Sequence, residues 1–326
     1  MASDSDAHKA FIQAFLARRI LTLEEAQPIL AAILTAAGQQ NPIVSQNTLN
    51  NFITTANNQL SPFDFHIRTL PSQSGPPESR TVYYILTNTT SDSLMQLATT
   101  HSAEEISFFR RVLDSMFETN NTNYLELCAV RSMEAVRLHK PRPGEQLNSV
   151  EDGAATQTQS TYGLTMKEAE TTLAQFVSEG WLELSPLGFY SLSPRSIAEL
   201  QRYLIDTYNL PDEEGVIVEK VKSCHGCKEL VTIGLRCDNL DCPIRFHDGC
   251  AERLWRVNRS KKCPSCGGNW SGGNYVGERA AKGAKKRVEV RRSLSGRQSA
   301  ASQLRAANVR RDDLEKSEAE EEADSE

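Results

Sequence analysis

Residues 224–266 read CHGCKELVTIGLRCDNLDCPIRFHDGCAERLWRVNRSKKCPSC. Seven of the chain's eight cysteines fall here, in the order C-x2-C-x9-C-x4-C-x4-H-x2-C-x12-C-x2-C. Each C-x2-C knuckle places two thiolates along one edge of a tetrahedron, as Zn–S bonds of about 2.3 Å require. Eight soft ligands make two closed structural sites, with no open position for catalysis. The long gaps after Cys227 and Cys250 let the chain cross over, so interleaved pairing is expected rather than two stacked fingers. The first site is then Cys224, Cys227, His247 and Cys250, and the second Cys237, Cys242, Cys263 and Cys266. His247 is expected to put one ring nitrogen on zinc and give its other N–H to a nearby acceptor. His225 sits inside the first knuckle, between cysteines that already fill the site, and reads as surface. The competing reading is a disulfide framework, which needs an oxidising compartment. Met1–Ala10 carries Asp4 and Asp6 and no apolar signal core, which favours zinc.

Outward from this stretch, the chain of 326 residues has a net charge of −6 that hides a division. Residues 1–220 carry 15 basic and 26 acidic side chains, residues 221–311 carry 20 and 7, and the last fifteen are strongly acidic. A mildly acidic body is thus joined to a basic zinc module and tail. No apolar run approaches the length of a membrane span.

The body reads as two copies of one pattern. Phe11, Phe15 and Leu16 repeat at helical spacing, and Thr22 with Glu25 forms a capping box before a second helix through Leu34. A third helix is expected from Thr48 to Leu60, stopped at Ser61-Pro62. The period then becomes two: Phe65 and Ile67, a Ser/Gly/Pro-rich loop over Pro71–Arg80, and Val82–Leu86. Three helices and a hairpin make a winged helix. The second copy opens with a Ser102–Glu105 capping box before Ile106, Phe109, Val112 and Leu113. A second helix is expected from about Tyr124 to Leu138, then a polar, mobile loop over Pro141–Ser160. Thr165 and Glu168 cap the next helix, Gly180 ends it, and Trp181–Leu184 with Phe189–Leu192 form a hairpin. Ser193-Pro194 starts a last helix with Ile197, Leu200, Leu204 and Tyr208 as its buried stripe. Cys128, placed on a helix, reads as a buried hydrophobe and not a nucleophile, since no His–Asp arrangement accompanies it.

The fold class expected is mainly α with small β-hairpins. Residues 1–100 and 101–215 are winged-helix domains, 216–272 a cross-braced two-zinc domain, and 273–326 a disordered, basic-then-acidic tail. The basic block at Lys282–Arg292 has the composition of a nuclear localisation signal or of a loose nucleic-acid contact. The groove-reading helices are poor in cations: Thr48–Leu60 has none, and Thr165–Glu179 sets Lys167 against three glutamates. Phosphate attraction dominates DNA affinity, so DNA contact is expected to be weak and protein docking the better use.

Three stretches carry a family resemblance: HKAFIQAFLARRILTLEEA at 8–26, LATTHSAEEISFFRRVL at 97–113, and the finger CHGCKELVTIGLRC…FHDGC…CPSC. In this order they resemble the non-structural maintenance of chromosomes element 1 family, over roughly residues 8–270. That resemblance implies a RING-like ubiquitin ligase subunit of the structural maintenance of chromosomes 5/6 complex, nuclear, chromosome-associated and acting in DNA repair. It implies two structural zinc ions and catalysis by positioning a ubiquitin-charged conjugating enzyme, without covalent catalytic residues. Carried over, the conjugating-enzyme surface would include Leu230, Trp255 and Pro264, although Trp255 serves equally as cover for the small core between the metals. A MAGE-type winged-helix subunit (non-SMC element 3) is the implied partner of the first two domains, and a kleisin (non-SMC element 4) joins them. Two departures point to weak activity without a partner: Lys228 follows Cys227 where an apolar contact is common, and Gly267 follows Cys266 where strong ligases place a cation. The ligand order also fits a histone-reading PHD-type finger. Such fingers carry an aromatic residue two positions before the seventh ligand, where this chain has Lys261. A purely architectural zinc-stabilised subunit is the third reading.

Overall fold

The computed structural model describes residues 4–90, 94, 97–141, 163–211 and 215–281. The expected 141–160 loop beyond Pro141, and the charged blocks after Ala281, lie outside these residues.

The first unit runs α1 (Asp4–Arg18), β1 (Ile20–Thr22), α2 (Leu23–Ala36), α3 (Gln46–Leu60), β2 (Phe65–Pro71) and β3 (Val82–Asn88). Its sheet has the order β1-β3-β2, all antiparallel. The Thr22–Glu25 capping box is formed in both directions and fixes the start of α2. α3 begins earlier than the sequence reading placed it, because Ser45 caps it by accepting the Thr48 N–H. A single 3₁₀ turn at Ser61–Phe63 and a left-handed Asp64 then reverse the chain into β2.

β3 is buried on both faces, and its alternation explains how the molecule is assembled. Tyr84 and Leu86 join Ile67 in a core with Phe11, Phe15, Leu30, Leu49 and Ile53. Ile85, pointing the other way, joins Leu70 in a second and larger core. The wing of the first unit is therefore a slab between its own helices and the rest of the chain.

The second unit comprises α4 (Ala103–Asp114), β4 (Val130–Arg131), α5 (Ser132–Arg137), α6 (Met166–Ser178), β5 (Leu182–Leu184), β6 (Phe189–Leu192) and α7 (Pro194–Tyr208), with sheet order β4-β6-β5. Capping boxes at Ser102–Glu105 and Thr165–Glu168 and the Ser193 cap form as expected. α4 runs into a wider π turn at Ser115–Thr119 that buries Met116 and Phe117. There the Phe117 ring meets Tyr208, whose hydroxyl donates to Asp114 at 2.8 Å.

One helix differs from the expectation. The stretch from Tyr124 is irregular, and only Ser132–Arg137 is helical. Polar side chains in the Asn120–Thr122 turn compete for the backbone. Asn120 Nδ2 donates to the Ala129 carbonyl, and Thr122 Oγ1 accepts from Leu125 N–H. Cys128 is thus not on a helix; it has φ +47° and is buried. Burial, with the Glu126 carboxylate nearby, pushes its thiol up to about 12, so it stays neutral.

The last module carries β7 (Gly234–Arg236), β8 (Arg245–Phe246), α8 (Asp248–Asn258) and β9 (Tyr275–Val276), ordered β8-β7-β9. Gly234 is required at its position, because a Cβ there would lie 2.2 Å from the Phe246 carbonyl oxygen. β9 falls in the stretch that composition assigned to the tail. It is held because Val276 is buried and Gly277 N–H donates to the Glu126 carbonyl. The larger core runs without a break from Phe109, Phe176 and Leu200 into Leu230, Phe246 and Trp270. Fully burying each such side chain contributes about 1.5–3 kcal/mol. The module is packed on the winged helices and not tethered beside them.

Candidate zinc centres and their platform

The two knuckles repeat one local structure. Cys224 N–H donates to the Glu229 carbonyl, and Lys228 N–H donates back to the Cys224 carbonyl; Cys263, Gly268 and Gly267 make the same pair of bonds. The turn needs a left-handed residue after the second cysteine, supplied by Lys228 (φ +68°) and Gly267 (φ +69°). Gly267 adopts this at no steric cost, whereas Lys228 holds the same conformation with a side chain.

Folding brings the eight candidate ligands into two quartets. Cys224, Cys227, His247 and Cys250 form one; Cys237, Cys242, Cys263 and Cys266 form the other. Within each quartet every ligand atom lies within 4.8 Å of the others. The segments interleave: α8, with His247 as its N-cap and Cys250 in its first turn, returns to the first knuckle. The second knuckle returns to Cys237, at the end of β7, and to Cys242.

The distances test the donor sets against zinc. The Cys237–Cys266 and Cys242–Cys263 sulfurs are 3.6 Å apart. That is far beyond a disulfide's roughly 2.05 Å and close to the tetrahedral edge of about 3.8 Å that Zn–S bonds of about 2.3 Å produce. All eight cysteines are free. His247 Nδ1 faces Cys227 and Cys250 sulfurs at 3.2 and 4.0 Å, while its Nε2 lies 2.9 Å from the Leu230 carbonyl oxygen. One nitrogen is aimed into the quartet and the other is held by a backbone acceptor, which fixes the tautomer a metal needs. Both quartets fit a structural zinc ion and leave no position for a substrate. His225 lies exposed, edge-on to Phe246.

The residues proposed to receive a conjugating enzyme are placed differently from one another. Pro264 is exposed in the second knuckle. Trp255 is half-buried on α8, edge-on to Trp270 at 5.9 Å with the Lys261 ammonium 5.7 Å from its ring. Leu230 corrects the expectation: its side chain is fully buried in the large core, so it presents nothing to a partner. Its carbonyl is instead committed to His247 and to Gln73 Nε2.

Sequence reading missed the charged centre beneath the platform. Glu126, from the irregular stretch of the second unit, accepts from Arg245 Nε and Nη2 at 2.6 and 2.5 Å and from Lys222 Nζ at 2.6 Å. Arg236 Nη1 is 3.6 Å away. Burial alone would push this carboxyl up, but the Arg245 hydrogen bonds and the three cations hold it at about 2. The partners are some hundred residues apart, and no local pattern marks them.

The family model described as "Nse1 non-SMC component of SMC5-6 complex" matches residues 8–200, and a RING-like domain model matches residues 224–266. The Homo sapiens "Non-structural maintenance of chromosomes element 1 homolog" is 25% identical over 272 residues, covering 82% of this chain and 84% of the relative. The Schizosaccharomyces pombe "Non-structural maintenance of chromosomes element 1" is 24% identical over 230 residues, covering 71% and 80%. A chain of a solved structure titled "Nse1-Nse3-Nse4 complex" matches with a TM-score of 0.60 at 21% identity, covering 83% of this chain and 99% of that one.

Proposed function

Because the chain belongs to the Nse1 family of non-SMC components of the SMC5-6 complex and carries a RING-like domain, we propose that it is a RING-type ubiquitin ligase subunit of that complex. It acts in the nucleus on chromosomes, in DNA repair. Its winged-helix units dock a MAGE-type subunit and a kleisin, in keeping with the three-subunit title of the similar solved structure.

In this reading the platform holds a ubiquitin-conjugating enzyme and orients its ubiquitin thioester toward a substrate lysine. Zinc supplies only cross-links. The chain's own residues supply a rigid surface: Trp255 on α8 and Pro264 in the second knuckle. The observation that carries the reading is the closed pair of interleaved quartets with α8 between them. Burial of Leu230 removes one apolar contact, so activity without partners should be low.

Discharge of ubiquitin from a charged conjugating enzyme, with the chain in complex with its partner subunits, tests this. Trp255→Ala should slow discharge by roughly tenfold, the loss of one interface anchor worth more than 1 kcal/mol, while both zinc ions are retained. Equal rates for wild type and variant would leave the architectural reading, which the engagement of Leu230 inside the core favours.

A further inference from the structure

The loop between β2 and β3 belongs to the first unit, yet it reaches the first metal quartet from two sides. Gln73, buried at 7% exposure, donates from Nε2 to the Leu230 carbonyl at 2.9 Å. Its Oε1 accepts from the Thr232 and Ile233 N–H groups at 2.9 and 2.8 Å and from Thr232 Oγ1 at 3.2 Å. This one carboxamide thereby closes the backbone turn that leads out of the first knuckle. On the other side Arg80 packs against α8, its Cδ 3.0 Å from where a Cβ of Gly249 would stand, next to Cys250. Arg68, from β2, donates through Nη2 to both carboxylate oxygens of Glu229 at 3.0 and 3.1 Å, just before Leu230.

The Leu230 carbonyl is the junction. It takes the His247 Nε2–H and the Gln73 Nε2–H together. We propose that Gln73 is a positioning residue for the first zinc site. By fixing the acceptor that orients His247, it makes the first winged-helix unit a structural part of that site. The second quartet has no such bond from the first unit among the described residues. A carboxamide matches the turn, because one end of it donates to the Leu230 carbonyl while the other accepts from two N–H groups and the Thr232 hydroxyl. The proposal rests on the zinc reading of the quartets and not on ligase activity.

Partners that orient a metal-ligating histidine are typically worth 10–100-fold in metal affinity. The test is alkylation of the full chain during chelator challenge, with modification resolved cysteine by cysteine. Gln73→Leu should expose Cys224, Cys227 and Cys250 about tenfold faster than wild type and leave Cys237, Cys242, Cys263 and Cys266 unchanged. Gln73→Glu preserves an acceptor for the Thr232 and Ile233 amides but loses the donor to Leu230. It tests the same bond should the leucine variant not fold, and should accelerate the same three cysteines. Unchanged rates, or equal acceleration at both quartets, would overturn the proposal. Immediate alkylation of all seven cysteines in wild type would remove the zinc reading and the proposal with it.

Discussion

Replacing Glu126 with glutamine should lower the stability of the chain at neutral pH by about 3–5 kcal/mol, the cost typical of breaking a buried ion pair by removing one partner. The substitution leaves the side chain's shape in place but removes the carboxylate bonded to Arg245 and Lys222. Arg245 is 1% exposed and cannot turn to water. Its Nη1 is committed to the Cys242 and Ile244 carbonyls, so the uncompensated charge would strain the loop that carries Cys242. The sign of the pH dependence follows from the depressed value. With the folded carboxyl at about 2 against a reference of 4.5, the stabilisation is fully present above pH 4.5 and is lost as the pH falls through 2. The thiolates and His247 also take up protons in acid. The informative quantity is therefore the wild-type minus variant difference, which should shrink below pH 4.5. Denaturant titration of the zinc-loaded chain measures it, and a difference under about 1 kcal/mol at neutral pH would place the cluster with surface pairs.

A larger effect is expected from the metal ligands, because binding and folding are one event in such modules and the apparent binding free energy of a structural zinc reaches about 10–16 kcal/mol in finger peptides. Cys237→Ser and Cys263→Ser should each reduce the zinc content from two ions to one, and each should empty the same centre. Cys224, Cys227 and Cys250 should stay protected from alkylation in both variants. Sequential pairing makes the opposite prediction, since it would put Cys237 with Cys224 and Cys263 with His247. Loss of Cys224 protection in the Cys237→Ser protein would therefore contradict the interleaved geometry.

What could be read from the sequence was what is encoded locally. Three capping boxes, the Ser193-Pro194 helix start, the period-two wing strands and the ligand spacing depend on residues a few positions apart. The run Leu127–Val130 misled because a short apolar run has no period of its own, and the Asn-rich turn before it decides the backbone. β9 was lost to composition: Tyr275 and Val276 lie in a Gly/Ser-rich context, and only the edge of β7 gives them a place. Gln73 sits in a loop that reads as polar filler; its role is created by a turn some 160 residues later. Leu230 failed for the same reason. Its position after a knuckle is local, but it is buried in a core that other units of the chain share, Leu70 and Ile85 of the first among them.

Two interleaved metal centres are built into one core with the winged helices. X-ray absorption at the zinc edge on the purified full chain, with metal content measured on the same sample, tests it most directly. Two zinc ions per chain are expected, bound in sum by seven sulfurs and one imidazole nitrogen. Fewer than two ions, or a spectrum without the imidazole contribution, would contradict it.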